Sequence, residues 1–552
     1  MTSSRFLRTT VAALAIAGSA CSSSTPENSK GTGGSGDGGK SGEGGKAGSG
    51  GALSSGGHPG TGGASGTGGR SGLGGSSADA GVTSTGGRSG LGGAGDAASS
   101  GGQLGNGGRS ASGGASGTGG VTGAGGDGAD GGVINPTACS TGTAQSSDVT
   151  VNLSSLQQKI TGFGVSSAWA GSYRNASDAD YLWSTTKGAG LTLLRIRYGD
   201  GLTIAKSAAS YGVTVWMTPW GTGTNGATEG SYTTTETNPN GCTGSMPVLT
   251  NPTGLASALV TWVQNAKTQG VPIYAVSAGN EPDSCGINST TSYSAAQLAT
   301  WIETLGPAIA NIGVKVMAPE TMNWYGFPSY FNAIKNDAAA YSYVNIFAGH
   351  RYGLGPDSKN TDVVAANKAI AADTSKEYWE TEVDTGTGSG DSSGDGIASA
   401  LLMAKQMHAD LTVANLNAWH LWWVYNASGN GGCLYDTSTN VWTKRLWVLG
   451  NYARFVRPGY MRVSTSGTVP SGLLVTAYQN PADGTLAVVA VNTNTSATPL
   501  SLYISGVVPC SITPWVTSAT DSLASKSPIT VSNARFSASL DAQSVTTFVG
   551  KP

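Results

Sequence analysis

Charged residues are scarce in this chain, and their signs nearly cancel. Lys, Arg, Asp and Glu make up 11% of the 552 residues, and the formal net charge is −2 at pH 7. Proteins that bind nucleic acid or an anionic surface usually carry a basic patch, so the composition predicts no nucleic-acid partner. A neutral polymer such as a polysaccharide suits this charge balance better.

Aromatic residues are missing from residues 29–132, which are almost entirely Gly, Ser, Ala and Thr in repeated GGxSG-like units. Such a segment cannot bury enough apolar surface to offset its loss of chain entropy on folding. We therefore predict a disordered linker over residues 22–135, with a coil span of roughly 50–60 Å. The tryptophans all follow this linker, in a stretch long enough for one large domain and a smaller one.

Long apolar runs are also lacking, whereas a membrane-spanning helix needs about 20 apolar residues. The chain begins with Arg5 and Arg8, followed by the short apolar run Val11–Ala17 and small residues up to Cys21. This pattern predicts a lipoprotein-type signal peptide over residues 1–21 with lipid attached to Cys21. An ordinary signal peptide is the alternative. We expect an exported bacterial lipoprotein, at the outer membrane or cell surface or outside the cell, which contacts a membrane through its lipid alone.

Five more cysteines follow Cys21, an odd number, so at least one is expected to stay a thiol. Export permits disulfides, although their pairing cannot be deduced from sequence alone. Cys242 and Cys285 both follow predicted strands on one face of the fold, which favours a disulfide between them. Cys139 and Cys510 are a second candidate pair. The absence of HExxH and CxxC motifs argues against a catalytic metal.

Alternating strand and helix patterns begin near residue 156. Helical stretches such as Thr253–Gln269 have apolar residues at three-to-four spacing and separate several of the strands. Eight strands with such helices predict an α/β fold, a (β/α)8 TIM barrel over residues 156–455. An open doubly wound sheet is the alternative, but no GxGxxG or Walker motif outside the linker supports it. The predicted strands are Lys159–Phe163, Leu191–Arg197, Val213–Thr218, Ile273–Ser277, Val314–Ala318, Val344–Ala348, Glu377–Glu382 and Leu416–Trp422.

The pattern changes after the barrel, where short alternating runs are separated by turn residues. This predicts an all-β sandwich as a C-terminal side domain over residues 456–552. A further strand within residues 145–155 precedes the barrel, and we expect it to join the sandwich. The protein is expected to be a monomer. The predicted sandwich strands are Leu473–Tyr478, Leu486–Asn492, Leu500–Ile504 and Ser544–Val549.

Two acidic residues lie where barrel strands end. Glu281 follows the fourth predicted strand within an Asn-Glu-Pro triplet, and Glu382 ends the seventh. The C-terminal ends of the strands form the mouth of a TIM barrel, where active sites lie. Glycoside hydrolysis needs two carboxyl groups, one to protonate the leaving oxygen and one to attack the sugar or activate water. Glu380 is the rival of Glu382, because residues two apart on a strand share a face.

Segments around these residues resemble, in their order along the chain, glycoside hydrolase family 30, a family of retaining enzymes in clan A. The resemblance spans residues 149–463 and is greatest to the xylanase branch. It implies a double displacement that needs no cofactor. The segments are Ile160–Gly164, Leu194–Arg197, Thr218–Trp220, Asn280–Pro282, Ala318–Glu320, Gly349–Tyr352, Trp379–Glu382 and Ala453–Val463.

The resemblance implies a role for each residue at the predicted mouth. Glu281 would be the general acid/base and Glu382 the nucleophile, with Asn280 holding the sugar 2-hydroxyl. Arg195 is expected to keep Glu382 ionised, because a nearby cation lowers the pKa of a carboxyl group. Glu320 also follows a strand, and we expect it to act as a hydrogen-bonding support.

Other residues at the strand ends are candidates for substrate binding. His350 is expected to donate a hydrogen bond near the nucleophile. Aromatic rings can pack against the C–H faces of sugars, although core packing is the alternative role for each ring. Because Trp422 and Trp423 are adjacent, only one of them is expected to face inward. The aromatic candidates are Trp220, Tyr352, Trp419 and Trp422, with Trp169 and Trp324 in addition.

The resemblance suggests xylan as the polysaccharide substrate of an endo-acting enzyme. Relatives specific for glucuronate-branched xylan carry an arginine after the eighth strand, whereas residues 424–430 contain no cation. Alternatives within the family are a β-1,6-galactanase, a β-1,6-glucanase or a glucosylceramidase-like β-glycosidase. A non-catalytic surface carbohydrate-binding protein is the non-enzyme alternative, and carboxyl groups more than about 9 Å apart would favour it.

Overall fold

The computed structural model describes residues 139, 142–221, 232–285, 290–352, 361–384, 396–426 and 432–552. The predicted signal peptide, the lipid attachment at Cys21 and the linker lie outside these residues and stay predictions. Within the described ranges, every helix is too short or too polar to cross a membrane.

A closed barrel of eight parallel strands forms the larger part of the described chain. Its strands are β2, β3, β4 and β7 to β11, where pairing of β10 with β11 closes the ring. The predicted TIM barrel is therefore confirmed. In chain order the strands up to the end of this part are β1 (Val149–Lys159), β2 (Gly162–Ser166), β3 (Leu193–Arg197), β4 (Thr214–Thr218), β5 (Thr233–Thr237), β6 (Ser245–Leu249), β7 (Ile273–Ser277), β8 (Lys315–Thr321), β9 (Val344–His350), β10 (Glu377–Glu382), β11 (Ala418–Asn426), β12 (Cys433–Asp436) and β13 (Val441–Trp442).

Helices cover the outside of the barrel, and the sequence explains where two of the longest begin. Asn251 accepts a hydrogen bond from the backbone of α3 and precedes Pro252, while Ser294 and Gln297 form a capping box at α4. A π-helical turn, Asp410–Ala414, continues α8. The helices are α1 (Asp178–Trp183), α2 (Leu202–Ser210), α3 (Pro252–Thr268), α4 (Ala295–Ala310), α5 (Phe327–Asn336), α6 (Ala338–Tyr343), α7 (Thr361–Ala372), α8 (Ile397–Ala409) and α9 (Lys444–Ala453).

The barrel strands have one layer of side chains inside the ring and another outside it. Alternate residues of each strand point into the ring or outward to the helices. The outward residues pack with the helices in one large core. The position of a residue within its strand therefore decides whether it reaches the mouth, and a bulge reverses that assignment. The core inside the ring consists of Leu193, Trp216, Ala275, Met317, Ile346, Ala348, Trp379 and Ala418.

The C-terminal part is the predicted β-sandwich. Strand β1 completes it, pairing antiparallel with β14 and parallel with β17. Strand β16 is buried on both faces: Val488 lies in the sandwich core, and Val489 lies in the core shared with the barrel. The sandwich therefore packs directly on the barrel domain. Its strands are β14 (Met461–Ser466), β15 (Leu473–Gln479), β16 (Leu486–Asn492), β17 (Thr498–Ser505), β18 (Ser511–Thr517), β19 (Ala524–Ser525), β20 (Ile529–Thr530), β21 (Arg535–Leu540) and β22 (Ser544–Gly550).

Strand β1 is longer than the sequence predicts. The joining strand was expected within residues 145–155 and the first barrel strand at Lys159–Phe163. Instead β1 continues to Lys159, which pairs with Met461, and the barrel begins at Gly162. Two irregularities in the pairing of β1 with β14 break its apolar alternation, and this hides the continuation of the strand.

Two disulfides fasten loops of this fold. Cys139 is bonded to Cys510 and ties the first described residue to the sandwich. Cys242 is bonded to Cys285 and ties the loop between β5 and β6 to the loop after β7. Cys242–Cys285 is the pair favoured from the sequence, and Cys139–Cys510 is the second candidate. Cys433 is buried and stays a thiol.

Candidate active site

Glu281 and Glu382 lie side by side at the barrel mouth. Glu281 follows β7, and Glu382 is the last residue of β10. A carboxylate oxygen of Glu281 lies within 4.8 Å of one of Glu382, and both side chains are buried. Retaining glycosidases hold their carboxyl groups about 5–5.5 Å apart, and inverting ones about 6.5–9.5 Å. The short separation is the one that retaining chemistry requires.

An irregularity in β10 turns Glu382 toward this mouth. Trp379 lies in the core inside the ring, so strict alternation would send Thr381 inward and Glu382 outward. The pairing of β10 with β9 shifts between Glu380 and Glu382, and Glu382 pairs with His350. One extra residue in a strand reverses the faces that follow it. The expectation that Glu380 and Glu382 face the same way is therefore wrong.

Glu380 lies in a different group of buried side chains. Its Oε2 accepts a hydrogen bond from Trp324 Nε1 at 2.7 Å. Burial, followed by the negative charge of Asp410, raises the pKa of Glu380 well above its ordinary value. Burial therefore favours the protonated form of Glu380. Trp324 is almost fully buried as its partner, so it is not a sugar platform.

Arg195 is the buried cation that joins the groups of the mouth. Its guanidinium donates to Glu382 and, at 2.7 Å, to Asn280 Oδ1. The same group lies 3.0 Å from the carboxylate of Glu320, and its Nε donates to Thr218 Oγ1 at 3.1 Å. Arg195 thus fixes the predicted nucleophile and the predicted 2-hydroxyl ligand relative to each other.

His350, the last residue of β9, contacts three carboxylates. Its Nδ1 lies 2.9 Å from Glu281 Oε1 and 3.8 Å from Glu382 Oε2, while its Nε2 lies 3.5 Å from Glu320 Oε1. Burial alone would lower the pKa of His350, but the charges of Glu382, Glu281 and Glu320 outweigh burial and raise this pKa to about 10. A protonated imidazole donates from both nitrogens, so His350 can donate to Glu281 from Nδ1 and to Glu320 from Nε2 while its charge lies near Glu382.

Burial and nearby charge have opposite effects on the pKa of the two carboxyl groups that Arg195 contacts, Glu382 and Glu320. Burial raises the pKa of Glu382, while His350 and Arg195 act in the opposite direction. Arg195 thus acts in the expected direction, although desolvation is the larger effect on this pKa. At Glu320 the two cations prevail over burial and hold the pKa at about 2. Glu320 is the permanent anion beside the pair.

Tyr352 is a hydrogen-bond donor to the predicted nucleophile. Its hydroxyl donates to Glu382 Oε1 at 2.7 Å, while Arg195 holds Oε2. Burial raises the pKa of Tyr352 well above its ordinary value, so the hydroxyl keeps its proton. The two donors fix the orientation of the Glu382 carboxylate. Tyr352 was expected as a sugar platform, but the structure assigns its hydroxyl to this carboxylate.

The loop that carries Glu281 is fastened to the end of β8. Glu281 has a φ of 44° and Glu320 a φ of 56°, in the left-handed region that non-glycine residues rarely adopt. The N–H of Glu281 donates to the carbonyl of Glu320 at 2.9 Å. Asp283 Oδ1 accepts from the N–H of Met322 at 2.8 Å, and the disulfide at Cys285 follows. These bonds hold the uncommon backbone in place.

A cluster of tryptophans lies over Arg195 at the mouth. Trp169 lies 5.4 Å from Trp220 and 6.0 Å from both Trp422 and Trp423, between ring centroids. Trp220 is 3% exposed and covers the Arg195 guanidinium at 4.3 Å. Trp422 is half-buried, so its ring is the more accessible of the two.

Trp422 and Trp423 both lie in this cluster, with stacked rings 5.3 Å apart. The expectation that only one of them faces the mouth is wrong. The pairing of β11 with β2 shifts between Leu421 and Trp423, which breaks the alternation. Sequence alone does not reveal such a shift, so Trp423 was not predicted as a site residue.

Trp419 lies outside the mouth, which corrects its predicted role in substrate binding. Ala418 points into the ring, so Trp419 points to the helices. Its ring is fully buried, and its Nε1 donates to Asp410 Oδ2 at 3.0 Å. Trp419 therefore belongs to the core between the barrel and α8.

Sequence reasoning missed two buried supports of the site. Thr218 Oγ1 donates to Glu320 at 2.9 Å, and its position at the end of β4 was a usable signal. His420 lies inside the ring between Trp216 Nε1 and the carbonyl of Glu380, at 3.0 Å from each. Burial lowers the pKa of His420 to about 3, so it is neutral, accepts at Nε2 and donates at Nδ1.

Glu281, His350 and Glu382 are also close enough to one another to hold a metal ion. A protonated His350 has no lone pair to offer, however. The arrangement therefore suits proton transfer and charge stabilisation better than metal binding. Two carboxyl groups at this separation on a TIM barrel define a retaining O-glycosyl hydrolase.

Comparisons with known proteins agree with this class. Residues 459–548 match the family model for the glycosyl hydrolase family 30 beta sandwich domain. The chain is 28% identical over 415 residues to glucuronoxylanase XynC of Bacillus subtilis strain 168, which covers 73% of this chain and 92% of that protein.

Two solved structures are similar over the barrel and the sandwich. A GH30 endoxylanase from Clostridium papyrosolvens C71 has a TM-score of 0.63 and 29% identity. The glycoside hydrolase family 30 subfamily 8 xylanase Xyn30A from Clostridium acetobutylicum has a TM-score of 0.62 and 29% identity. Each match covers 74% of this chain and 100% of the other. The resemblance to family 30, in its xylanase-like branch, is confirmed.

Proposed function

We propose that this chain is an endo-acting, retaining xylanase with Glu281 as acid/base and Glu382 as nucleophile. The observation that carries the mechanism is the separation of these carboxylates, within 4.8 Å. The similarity to glucuronoxylanase XynC and to the two clostridial xylanases supports xylan as the substrate. The same short separation argues against a non-catalytic carbohydrate-binding protein.

In the first step, Glu382 attacks the anomeric carbon while Glu281 gives its proton to the glycosidic oxygen. The bond between that carbon and oxygen breaks, and the sugar becomes an ester of Glu382. Arg195 and Tyr352 each hold one oxygen of Glu382, which orients the carboxylate for attack. In the second step, Glu281 takes a proton from water, which displaces Glu382 and restores the original anomeric configuration.

The charges of the mouth balance throughout this cycle. With Glu281 protonated, the cations Arg195 and His350 offset the anions Glu320 and Glu382. The first step moves the negative charge from Glu382, now an ester, to Glu281, which has lost its proton. His350 Nδ1 lies 2.9 Å from Glu281 and 3.8 Å from Glu382, so it stabilises the negative charge on either carboxylate.

Asn280 has one group left for the substrate. Its Oδ1 is occupied by Arg195, while among the described residues its Nδ2 makes only a long contact of 3.4 Å with Thr290 Oγ1. Nδ2 can therefore donate to the 2-hydroxyl of the sugar that Glu382 attacks. Hydrogen bonds to this hydroxyl strengthen in the transition state of glycosidases.

Removal of the charge of His350 should change the pH dependence of the enzyme. His350 lowers the pKa of Glu382 against the effect of burial, so His350→Gln should raise this pKa further. Glu382 must be ionised to attack, and the acid limb of kcat/KM should therefore move upward by about one pH unit or more. We would measure pH profiles of both proteins and check folding by their melting temperatures. An acid limb that stays in place or moves downward in the folded variant would contradict this role.

The substrate is tested by product analysis on a panel of polysaccharides. We expect short xylo-oligosaccharides from xylan both with and without glucuronate branches, because residues 424–430 contain no cation to bind the acid. β-1,6-Glucan and β-1,6-galactan should stay intact. NMR of the first product should show the β configuration. Cleavage of a β-1,6-linked polymer in preference to xylan would overturn the proposal. Cleavage only beside glucuronate would contradict the expectation that unbranched xylan is also a substrate.

A further inference from the structure

The two sides of the mouth differ in how they present aromatic rings. The tryptophan cluster lies over Arg195, whose guanidinium donates to Glu382 and to Asn280. On the side of Glu281, the segment after β8 carries Tyr325, whose side chain is 69% exposed. Exposed single aromatic residues are common on protein surfaces, so exposure by itself assigns no role to Tyr325. Its position relative to the acid/base is the informative observation.

The turn that carries Tyr325 is held on both sides. Met322 donates to Asp283 Oδ1 at 2.8 Å, and Gly326 donates to Asn323 Oδ1 at 2.9 Å. Trp324, the residue before Tyr325, is buried against Gly349 and hydrogen-bonded to Glu380. A side chain on a turn fixed in this way loses little conformational entropy when it binds a ligand.

The turn also lies close to the acid/base residue. A Cβ atom on Gly326 would lie 2.8 Å from Asp283 Oδ2, so the backbone at Gly326 is a close neighbour of the Asp283 side chain. Asp283 is two residues from Glu281, and Tyr325 is one Cα–Cα step of about 3.8 Å from Gly326. Tyr325 is therefore within reach of a short oligosaccharide that extends from Glu281.

We propose that Tyr325 is a platform for the part of the polysaccharide that leaves. This inference rests on the proposed function. Glu281 protonates the leaving oxygen, so the departing chain must extend from the Glu281 side of the mouth. An endo-acting enzyme must hold its polymer on both sides of the cleaved bond. The tyrosine ring offers an apolar face for sugar C–H groups on that side, as the tryptophans do on the other.

The test compares two substrates that differ only in what leaves. Tyr325→Ala should lower kcat/KM on long linear xylo-oligosaccharides about three- to tenfold, because the packing face is lost. It should leave kcat/KM on β-xylobiosyl fluoride unchanged, since fluoride occupies no sugar site beyond the cleaved bond. Tyr325→Phe keeps the ring and should retain activity on both substrates.

Tyr211→Ala is the matched control. Tyr211 is 41% exposed and follows the C-terminal end of α2, at the end of the barrel opposite the mouth. This variant should behave as wild type on both substrates. An unchanged rate of Tyr325→Ala on oligosaccharides, or an equal loss on both substrates, would overturn the inference. A wild-type enzyme that cleaves no xylan would overturn the proposed function itself, and the wild-type measurement distinguishes these two failures.

Discussion

Replacement of Glu382 by glutamine is expected to lower kcat on xylan by about 10⁴-fold or more, which corresponds to roughly 5.5 kcal/mol of lost transition-state stabilisation. An amide cannot form the glycosyl ester, so the double displacement has no first step. The fold should survive, because the glutamine carbonyl can still accept a hydrogen bond from Arg195 while its NH2 group donates to the Tyr352 hydroxyl. Rates from reducing-sugar release, together with the melting temperature, check both parts.

Glu380→Gln is the control for this result. Glu380 sits two residues earlier on the same strand, but its raised pKa favours the protonated form, and glutamine closely resembles a protonated carboxyl group. Its carbonyl can accept the hydrogen bond of Trp324 that Glu380 accepts at 2.7 Å. We expect activity within a few-fold of wild type. An inactive Glu380→Gln beside an active Glu382→Gln would exchange the two assignments.

Replacement of Glu281 by alanine is expected to cost about 10² to 10⁴-fold in kcat/KM on xylan, the usual contribution of a general acid or base. The size of the loss should depend on the leaving group. Dinitrophenolate leaves a dinitrophenyl xylobioside without needing a proton, so the first step of the reaction should be nearly unaffected. A burst of dinitrophenol should then precede slow turnover. Rapid-mixing absorbance measurements would show this burst.

Azide provides a second measurement on the same variant. A small anion can replace water in the second step, because it needs no general base. Azide should therefore accelerate steady-state turnover of Glu281→Ala and give a glycosyl azide of β configuration. An α-azide, or equal losses on xylan and on the dinitrophenyl substrate, would be incompatible with Glu281 as the acid/base of a retaining enzyme.

The sequence located the barrel and its two carboxylates because both depend on patterns that survive local irregularity. Eight apolar runs at regular spacing predict eight strands, and residues such as Glu281 that follow a strand reach the mouth. The partners of these residues could also be anticipated from strand ends, as with Arg195. The actual contacts of His350, which ends β9, are with carboxylates carried by β8, by β10 and by the loop after β7. No local sequence pattern encodes such an arrangement.

The errors concern the faces of residues near strand ends. Trp423 and Glu380 were placed by counting alternate positions, and strand pairing is irregular close to both, whereas Trp419 was chosen because it is an aromatic residue near a strand end. A shift of one residue moves a side chain from the mouth to the helices or back. Such shifts lie near the catalytic centre, where β-bulges are known to redirect side chains. Counting is therefore least reliable where function is concentrated.

The disulfide between Cys139 and Cys510 determines how a pull on the chain would reach the enzyme. Tension applied to residues before Cys139 passes through this covalent bond into the sandwich just ahead of β18. The sandwich then transmits the load through its broad packing surface with the barrel. Strand β2, the first of the barrel, is not pulled by its own backbone. Within the described residues, a pull at Cys139 therefore reaches the catalytic strands only after it has passed through the sandwich.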